Sequence, residues 1–222
     1  GAYPHVHGVF SNTWFDRGRG AVTPCASDPG ANAISYGGAG NSHTGPAALA
    51  IPTLADEMRA KGGHVVTLAL KARSAIMMAG HGGDSVTWIS ESLDSWETST
   101  AFAAGPNPVV KAYLEAHPMD ADFGKTWTKM LPASKYTDPD DGLAEDPPQG
   151  WTSTFPHVLK GASGRPDAAY YDQWQQSPFA DAYVARMATA LVESFRLGRH
   201  DAPDFLGVSF SSPDLVGHAF GP

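Results

Sequence analysis

The sequence predicts an α/β domain built on a mostly parallel sheet flanked by helices. Three observations carry that expectation: a β-branched apolar run at 64–70, a long capped helix from Ser177, and an alternating strand at 204–212 directly after it. Strands separated by helical segments need crossover connections, and such crossovers build parallel sheets. The chain has 222 residues, 42% hydrophobic and 17% charged. That supplies a core for one large domain rather than two, and no heptad run exists, so disorder and coiled coil are excluded.

Taken in order, 46–61 reads as a helix, with Leu49, Leu54 and Met58 apolar and Gly62-Gly63 stopping it. Pro52 within it is either a kink or the first helical residue. The run His64-Val65-Val66-Thr67-Leu68-Ala69-Leu70 has the composition of a buried strand. A second helix begins at Asn107-Pro108 and runs to about Ala116, before Pro118. Residues 119–177 are rich in Pro, Gly, Asp and aromatics, so this stretch is expected to be mostly loop with short elements. It is too long for a structureless connection and reads as a function-specific excursion. The clearest helix follows: Ser177 caps it, Pro178 occupies its first position and Gly198 terminates it. Val184, Met187, Ala188, Leu191 and Phe195 give it one apolar face. In the strand 204–212, Leu206, Val208 and Phe210 alternate with Gly207, Ser209 and Ser211. No repeat of fixed period is visible.

Charge narrows the function. Against 23 Asp and Glu stand 15 Lys and Arg, a net charge of -8. With no basic stripe to neutralise phosphates, a nucleic-acid backbone is not an expected partner. The single cysteine, Cys25, excludes an intrachain disulfide and a cysteine-rich zinc site, which pushes any metal toward His and Asp ligands. No apolar run approaches the roughly 20 residues needed to span a membrane. The chain opens on the turn-forming Gly1-Ala2-Tyr3-Pro4-His5 and closes on a Gly- and Pro-rich segment directly after a strand. The expectation is a piece of a larger domain, incomplete at both ends.

Four constellations bear on chemistry. Asp214 and His218, four residues apart past the carboxyl end of the 204–212 strand, can converge on one divalent ion across a tight turn, or are an ordinary strand-end turn. Lys71 and Arg73 follow the 64–70 strand. If the backbone stays extended they point to one side and share an oxyanion target; otherwise they are a solvated strand terminus. In the opening run, His5 and His7 can bind metal from an extended segment and Asn12 can donate its amide to an oxyanion, or all three serve turns. Ala79-Gly80-His81-Gly82-Gly83-Asp84 reads as a metal loop or as a tight turn between strands. Other signals fail. Gly124-Lys125-Thr126 lacks the first glycine of a P-loop, Gly207-Val208-Ser209-Phe210-Ser211 lacks the closing glycine of a nucleophile elbow, and 37–45 lacks dinucleotide spacing. The scattered Trp88, Trp96, Trp127, Trp151 and Trp174 favour packing over a sugar-stacking platform.

Three segments taken together are informative: Pro4-His5-Val6-His7-Gly8-Val9 with Asn12-Thr13-Trp14-Phe15-Asp16, then Leu70-Lys71-Ala72-Arg73-Ser74-Ala75-Ile76, then Ser209-Phe210-Ser211-Ser212-Pro213-Asp214-Leu215-Val216-Gly217-His218-Ala219-Phe220-Gly221-Pro222. With Ser177-Pro178-Phe179 between the last two, this order resembles the alkaline phosphatase superfamily. The match is nearest to bacterial zinc phosphomonoesterases related to the type I phosphodiesterase/nucleotide pyrophosphatases. The resemblance implies an alkaline phosphatase-like sheet, two zinc ions, and a Thr or Ser nucleophile that forms a phospho-enzyme later hydrolysed by water. It makes Asp214 and His218 two of the three protein ligands of one zinc, Asn12 an amide on a phosphoryl oxygen, and Lys71 and Arg73 the cationic pair that favours monoesters. It also implies small phosphorylated substrates and a periplasmic or secreted location.

By the same resemblance the nucleophile and first metal aspartate belong before Gly1, and an Asp-His pair and final His belong after Pro222. Residues 1–222 are then expected to be the central fragment of one catalytic domain, with 119–177 inserted. Made alone, the fragment is expected to show no turnover and to bind zinc weakly. Two other readings are carried forward: a phosphodiesterase or nucleotide pyrophosphatase, and a non-catalytic extracellular binding module in keeping with the Gly, Pro and Trp content.

Overall fold

The structure, a computed structural model, describes residues 2–38, 40–137 and 140–221. Pro222, which closes the last motif, lies outside the described residues. The chain begins with one helical turn, α1 (Pro4–His7), then a hairpin of β1 (Thr13–Asp16) and β2 (Ala21–Pro24). Next come β3 (Ala33–Ser35), α2 (Leu54–Ala60), β4 (Val65–Ala69), α3 (Ala72–Ala79), β5 (Ser85–Ile89) and β6 (Trp96–Ser99). After α4 (Pro108–Ala116), two short strands, β7 (Thr126–Trp127) and β8 (His157–Val158), pair with each other. The chain ends with α5 (Ala168–Gln175), α6 (Pro178–Ser194), β9 (Phe205–Ser209) and α7 (Ser212–Phe220).

The main sheet has five strands in the order β3-β6-β5-β4-β9. Its centre is parallel: β4 pairs with β5 on one side and with β9 on the other. Antiparallel β6 and β3 extend it past β5, so the sheet is mixed rather than parallel throughout. β4 is buried along its whole length because it is covered on both faces. Val66, Leu68 and Leu70 join a core with Ile89, Trp96, Val184, Met187 and Leu191. Val65 and Ala69 join a second core with Ala75, Ile76, Ala79 and Trp88. Small residues on this second face let α3 lie close, and Thr67 Oγ1 donates to the Ala75 carbonyl at 3.0 Å.

Several elements differ from the sequence reading, each for a local reason. The helix expected over 46–61 starts only at Leu54, where Thr53 and Asp56 form a reciprocal capping box. Leu54 is solvent-exposed and Ala55 is the buried residue of α2. α6 has Ser177 at its cap and Pro178 in its first turn, but ends at Ser194, ahead of Gly198. In β9 the alternation is inverted: Gly207 is buried while Leu206 and Phe210 are exposed. Gly207 is where α3 presses on the sheet, since a Cβ there would stand 3.1 Å from both Met78 Sδ and Thr67 Cγ2. Within 119–177 the short elements include α5, which lacks a marked apolar stripe; Asp167 caps it through the Tyr170 N–H. The glycine run at 79–84 joins α3 to β5 and is not a turn between strands.

Candidate functional site

The three parallel strands deliver their carboxyl ends to one edge. β4 leads into Lys71, β5 into Glu91 and β9 into α7, which carries Asp214 and His218. A cavity of about 480 Å³ opens at this edge, and Asn12, Lys71 and Arg73 all line it. Three of the five residues singled out from sequence thus share one hollow.

Lys71 is the cap residue of α3 and Arg73 lies in its first turn, so the backbone does not stay extended through them. Their convergence comes from the helix start instead. Two cations at that end run against the helix dipole, which favours anions there. The same end offers backbone N–H groups, Lys71 and Arg73 to an incoming anion together. Asn12 sits at the start of β1, and its carbonyl accepts the Cys25 N–H at 2.8 Å, so the β1–β2 hairpin holds it at the cavity mouth.

Asp214 and His218 lie one turn apart on α7, not across a tight turn. Pro213 suits the helix start, and the i, i+4 spacing brings His218 Nε2 to 3.7 Å from Asp214 Oδ1. α7 is fixed at both ends: the Ser212 N–H donates to Asp181 Oδ1 at 3.3 Å, and the Asp146 N–H donates to the Ala219 carbonyl at 2.7 Å. Lys71 Nζ donates to Asp214 Oδ2, which joins the cavity to α7. Lys71 holds the Asp214 carboxyl below its usual range, with further help from His218 and Arg73. Asp214 and His218 are open to solvent, their side chains 58% and 80% exposed. Among the described residues no group of three or more His, Cys, Asp or Glu is placed to hold a metal ion.

The other sequence candidates have local roles. His7 Nδ1 accepts the Val9 N–H at 3.1 Å, closing α1 ahead of Gly8. Gly8 has φ +87°, and a Cβ there would sit 2.3 Å from the Ala48 carbonyl oxygen. His5 stacks on Tyr3. His81 Nδ1 lies 2.9 Å from Asp56 Oδ2 and its Nε2 lies 2.9 Å from the Leu49 carbonyl, so both ring nitrogens face acceptors. The Lys125 ammonium of the failed P-loop pairs with Asp122.

Sequence reading missed much of the cavity wall. His43 lines it, with Nδ1 2.7 Å from the Ala31 carbonyl. Glu97 lines it from β6, buried, its Oε1 accepting from Ser42 Oγ at 2.7 Å and Trp88 Nε1 at 2.9 Å. Cys25 is there too, its thiol pushed up by burial despite Arg73 nearby. Only the pairing of β5 with β6 brings Glu97 to Trp88, and no local pattern announces that register.

The sequence pattern of type I phosphodiesterase / nucleotide pyrophosphatase matches residues 1–222. The alkaline phosphatase PhoV of Synechococcus elongatus is 27% identical over 100% of this chain, which spans 40% of PhoV. The alkaline phosphatase PafA of Elizabethkingia meningoseptica is 26% identical over the whole chain. A crystal structure of wild-type PafA superposes with a TM-score of 0.85, covering 99% of this chain and 43% of that one. A PafA variant has also been solved, with a threonine changed to serine and an asparagine, a lysine and an arginine each changed to alanine; it superposes with a TM-score of 0.86. In that variant a single residue separates the lysine from the arginine.

Proposed function

The chain belongs to the type I phosphodiesterase / nucleotide pyrophosphatase family, and from that premise we propose that it carries the phosphoryl-binding part of a zinc phosphomonoesterase. The observation that carries this reading is the convergence of Asn12, Lys71 and Arg73 on one cavity, with Lys71 tied to Asp214. The spacing of Lys71 and Arg73 equals that of the lysine and arginine replaced together in the PafA variant, and Asn12 precedes them as its asparagine does.

The donors fit zinc in kind. A carboxylate and an imidazole on successive turns of α7 are ligands that zinc accepts. Two ligands fall short of the three protein ligands of a catalytic zinc; the resemblance implies that the remainder, the second zinc site and the Thr or Ser nucleophile come from chain outside residues 1–222. Zinc, when bound, polarises a phosphoryl oxygen and steadies the leaving group. The chain's own residues do the rest. Asn12 donates its amide to one phosphoryl oxygen, Arg73 offers a planar fork of N–H donors, and Lys71 brings a point charge. A monoester carries one more anionic oxygen than a diester, and the Lys71–Arg73 pair provides its partner. The substrate class is therefore small phosphate monoesters, and a periplasmic or secreted location accords with the resemblance.

The deciding experiment uses a full-length protein that contains these residues, assayed on p-nitrophenyl phosphate and its bis-ester. Asp214→Ala abolishes zinc-dependent turnover, while Lys71→Ala and Arg73→Ala each lower monoester kcat/KM by about 10²–10³ and diester kcat/KM by less. Equal losses on both substrates favour a phosphodiesterase. Unchanged rates with all three variants overturn the assignment and leave a binding module. Residues 1–222 alone show no turnover.

A further inference from the structure

None of the residues that line the anion cavity comes from the 119–177 excursion. The excursion instead meets α7, at the end away from Lys71. The Asp146 N–H donates to the Ala219 carbonyl at 2.7 Å, and the His157 ring lies 5.2 Å from that of Phe220. Among the described residues, these are the hydrogen bond and the ring contact that join the last turn of α7 to the rest of the chain. Ala219 and Phe220 directly follow the candidate ligand His218.

His157 is 1% exposed and enclosed by rings. Its centroid lies 4.3 Å from that of Phe155, 4.7 Å from Trp151 and 5.4 Å from Trp127. Neither of its ring nitrogens has a hydrogen-bond partner among the described residues. Burial lowers its pKa against the pull of Asp140 and Glu145, which favours the neutral ring. Two unpartnered nitrogens cost stability, so His157 serves here as a flat ring and not as a hydrogen-bonding group. The rings stand on a fixed base. β8 pairs with β7, placing His157 opposite Trp127, and Trp151 Nε1 donates to the Val158 carbonyl at 2.7 Å. Leu159, the next residue, is buried in the main core. Gln173 of α5, wholly buried, accepts the Lys160 and Gly161 N–H groups at 3.1 and 3.0 Å and donates to the Gln149 carbonyl at 2.6 Å. A segment held to the core on one side and to α7 on the other fixes the helix instead of following it.

We propose that the excursion is a clamp for α7, with His157 as the positioning residue that seats the last turn, and with it His218, for metal binding. This rests on the reading of Asp214 and His218 as zinc ligands. The two ends of α7 are then set by different parts of the chain. Asp181 of α6 and Lys71 hold Ser212 and Asp214 at the start, and the excursion holds Ala219 and Phe220 at the end. Both ligand side chains are exposed between these holds, so the seat of the helix decides where they point.

Hydrogen exchange of the metal-free 222-residue chain tests the clamp without recourse to activity. His157→Ala speeds exchange of the α7 amides 216–221 roughly tenfold, while those of Met187 and Leu191 in α6 keep their wild-type rates. In a full-length protein that contains these residues, the same change weakens zinc binding about tenfold, read by competition with a fluorescent chelator. His157→Phe keeps the ring contacts, sheds the unpartnered nitrogens and restores both quantities. Exchange in α7 unmoved by His157→Ala overturns the clamp, and faster exchange with unchanged zinc affinity overturns the positioning role. A His157→Phe variant that behaves like His157→Ala overturns the role of the ring. Should His157→Ala not fold, Phe220→Ala removes the same contact from the α7 side and decides by the same two measurements. Zinc binding that survives Asp214→Ala overturns the zinc reading, and the positioning role with it, while the exchange rates still decide the clamp.

Discussion

Lys71 and Asp214, 143 residues apart in sequence, meet in an ion pair above the carboxyl ends of β4 and β9. The first ties the α3 start to the anion cavity and the second carries the proposed metal helix, so one contact couples the two halves of the site. It also makes the titration of Asp214 a reporter of Lys71.

Lys71 lowers the Asp214 carboxyl, so removing the ammonium lets the carboxyl rise toward the ordinary aspartate value of about 3.9. Side-chain carbonyl NMR of the wild-type chain and Lys71→Met measures this directly. An unchanged midpoint would show that the ion pair does not persist in solution.

The Asp56–His81 contact gives stability a pH window. The Asp56 hydrogen bond raises His81, with the Leu49 carbonyl adding to it. That contribution is complete below about pH 6.5 and is lost as pH climbs through the raised folded value. For Asp56, burial pushes up, but the Thr53 N–H and His81 outweigh it and hold the carboxyl low. Its contribution is complete above about pH 3.9 and is lost as pH falls through the depressed value. Urea midpoints at pH 5.5 and 8.5 check the sign for the histidine: His81→Gln costs more at the lower pH. An equal cost at both means that the pair does not titrate with folding.

Gly63 has no room for a side chain. A Cβ would lie 2.1 Å from the Pro203 carbonyl oxygen and 3.1 Å from that of Met58, both backbone atoms. Gly63→Ala therefore destabilises by about 3 kcal/mol, the upper part of the usual range for overpacking. Gly105→Ala, where nothing lies within 4 Å, stays within about 0.5 kcal/mol of wild type. Denaturant unfolding of the two variants side by side makes the comparison.

Asp122 is buried between a tryptophan and a lysine. Trp174 Nε1 donates to its Oδ2 at 2.8 Å, and Lys125 pairs with its Oδ1. Asp122→Ala leaves the indole N–H buried without an acceptor and costs about 1–3 kcal/mol. Asp122→Asn keeps an acceptor and recovers part of that. Equal losses in the two variants would assign the effect to packing alone.

What could be read from the sequence was local or periodic. Asn107 and Ser177 cap helices because each side-chain oxygen accepts helix N–H groups within three residues, and β4 is a β-branched run. The errors arise where long-range packing decides. Leu206 and Phe210 look like core residues, yet the close approach of α3 needs Gly207 inward and turns them out. The sequence puts Lys71 and Arg73 on one side only if the backbone stays extended, and it starts a helix there instead. Asp214 and His218 likewise share a helix face where a turn was expected. The predicted residues still meet, because the carboxyl ends of parallel strands collect at one edge whatever the local geometry of each segment. His43 and Glu97 were missed because nothing near them in sequence indicates which cavity they face.

The parallel pairing of β4 with β9 imposes an order of assembly. His64 and Asp204, at the matching ends of these strands, are 140 residues apart. At synthesis rates of roughly 5–20 residues per second, β4 waits about 7–28 s for its second neighbour after emerging beside α3 and β5. During that interval one edge of β4 is unpaired, and Val66, Leu68 and Leu70 lack the cover of α6 until residues 178–194 have followed. In chain order, then, Lys71 and Arg73 are made well before β9 and α7, and the second edge of β4 can close only once residues 205–209 have followed.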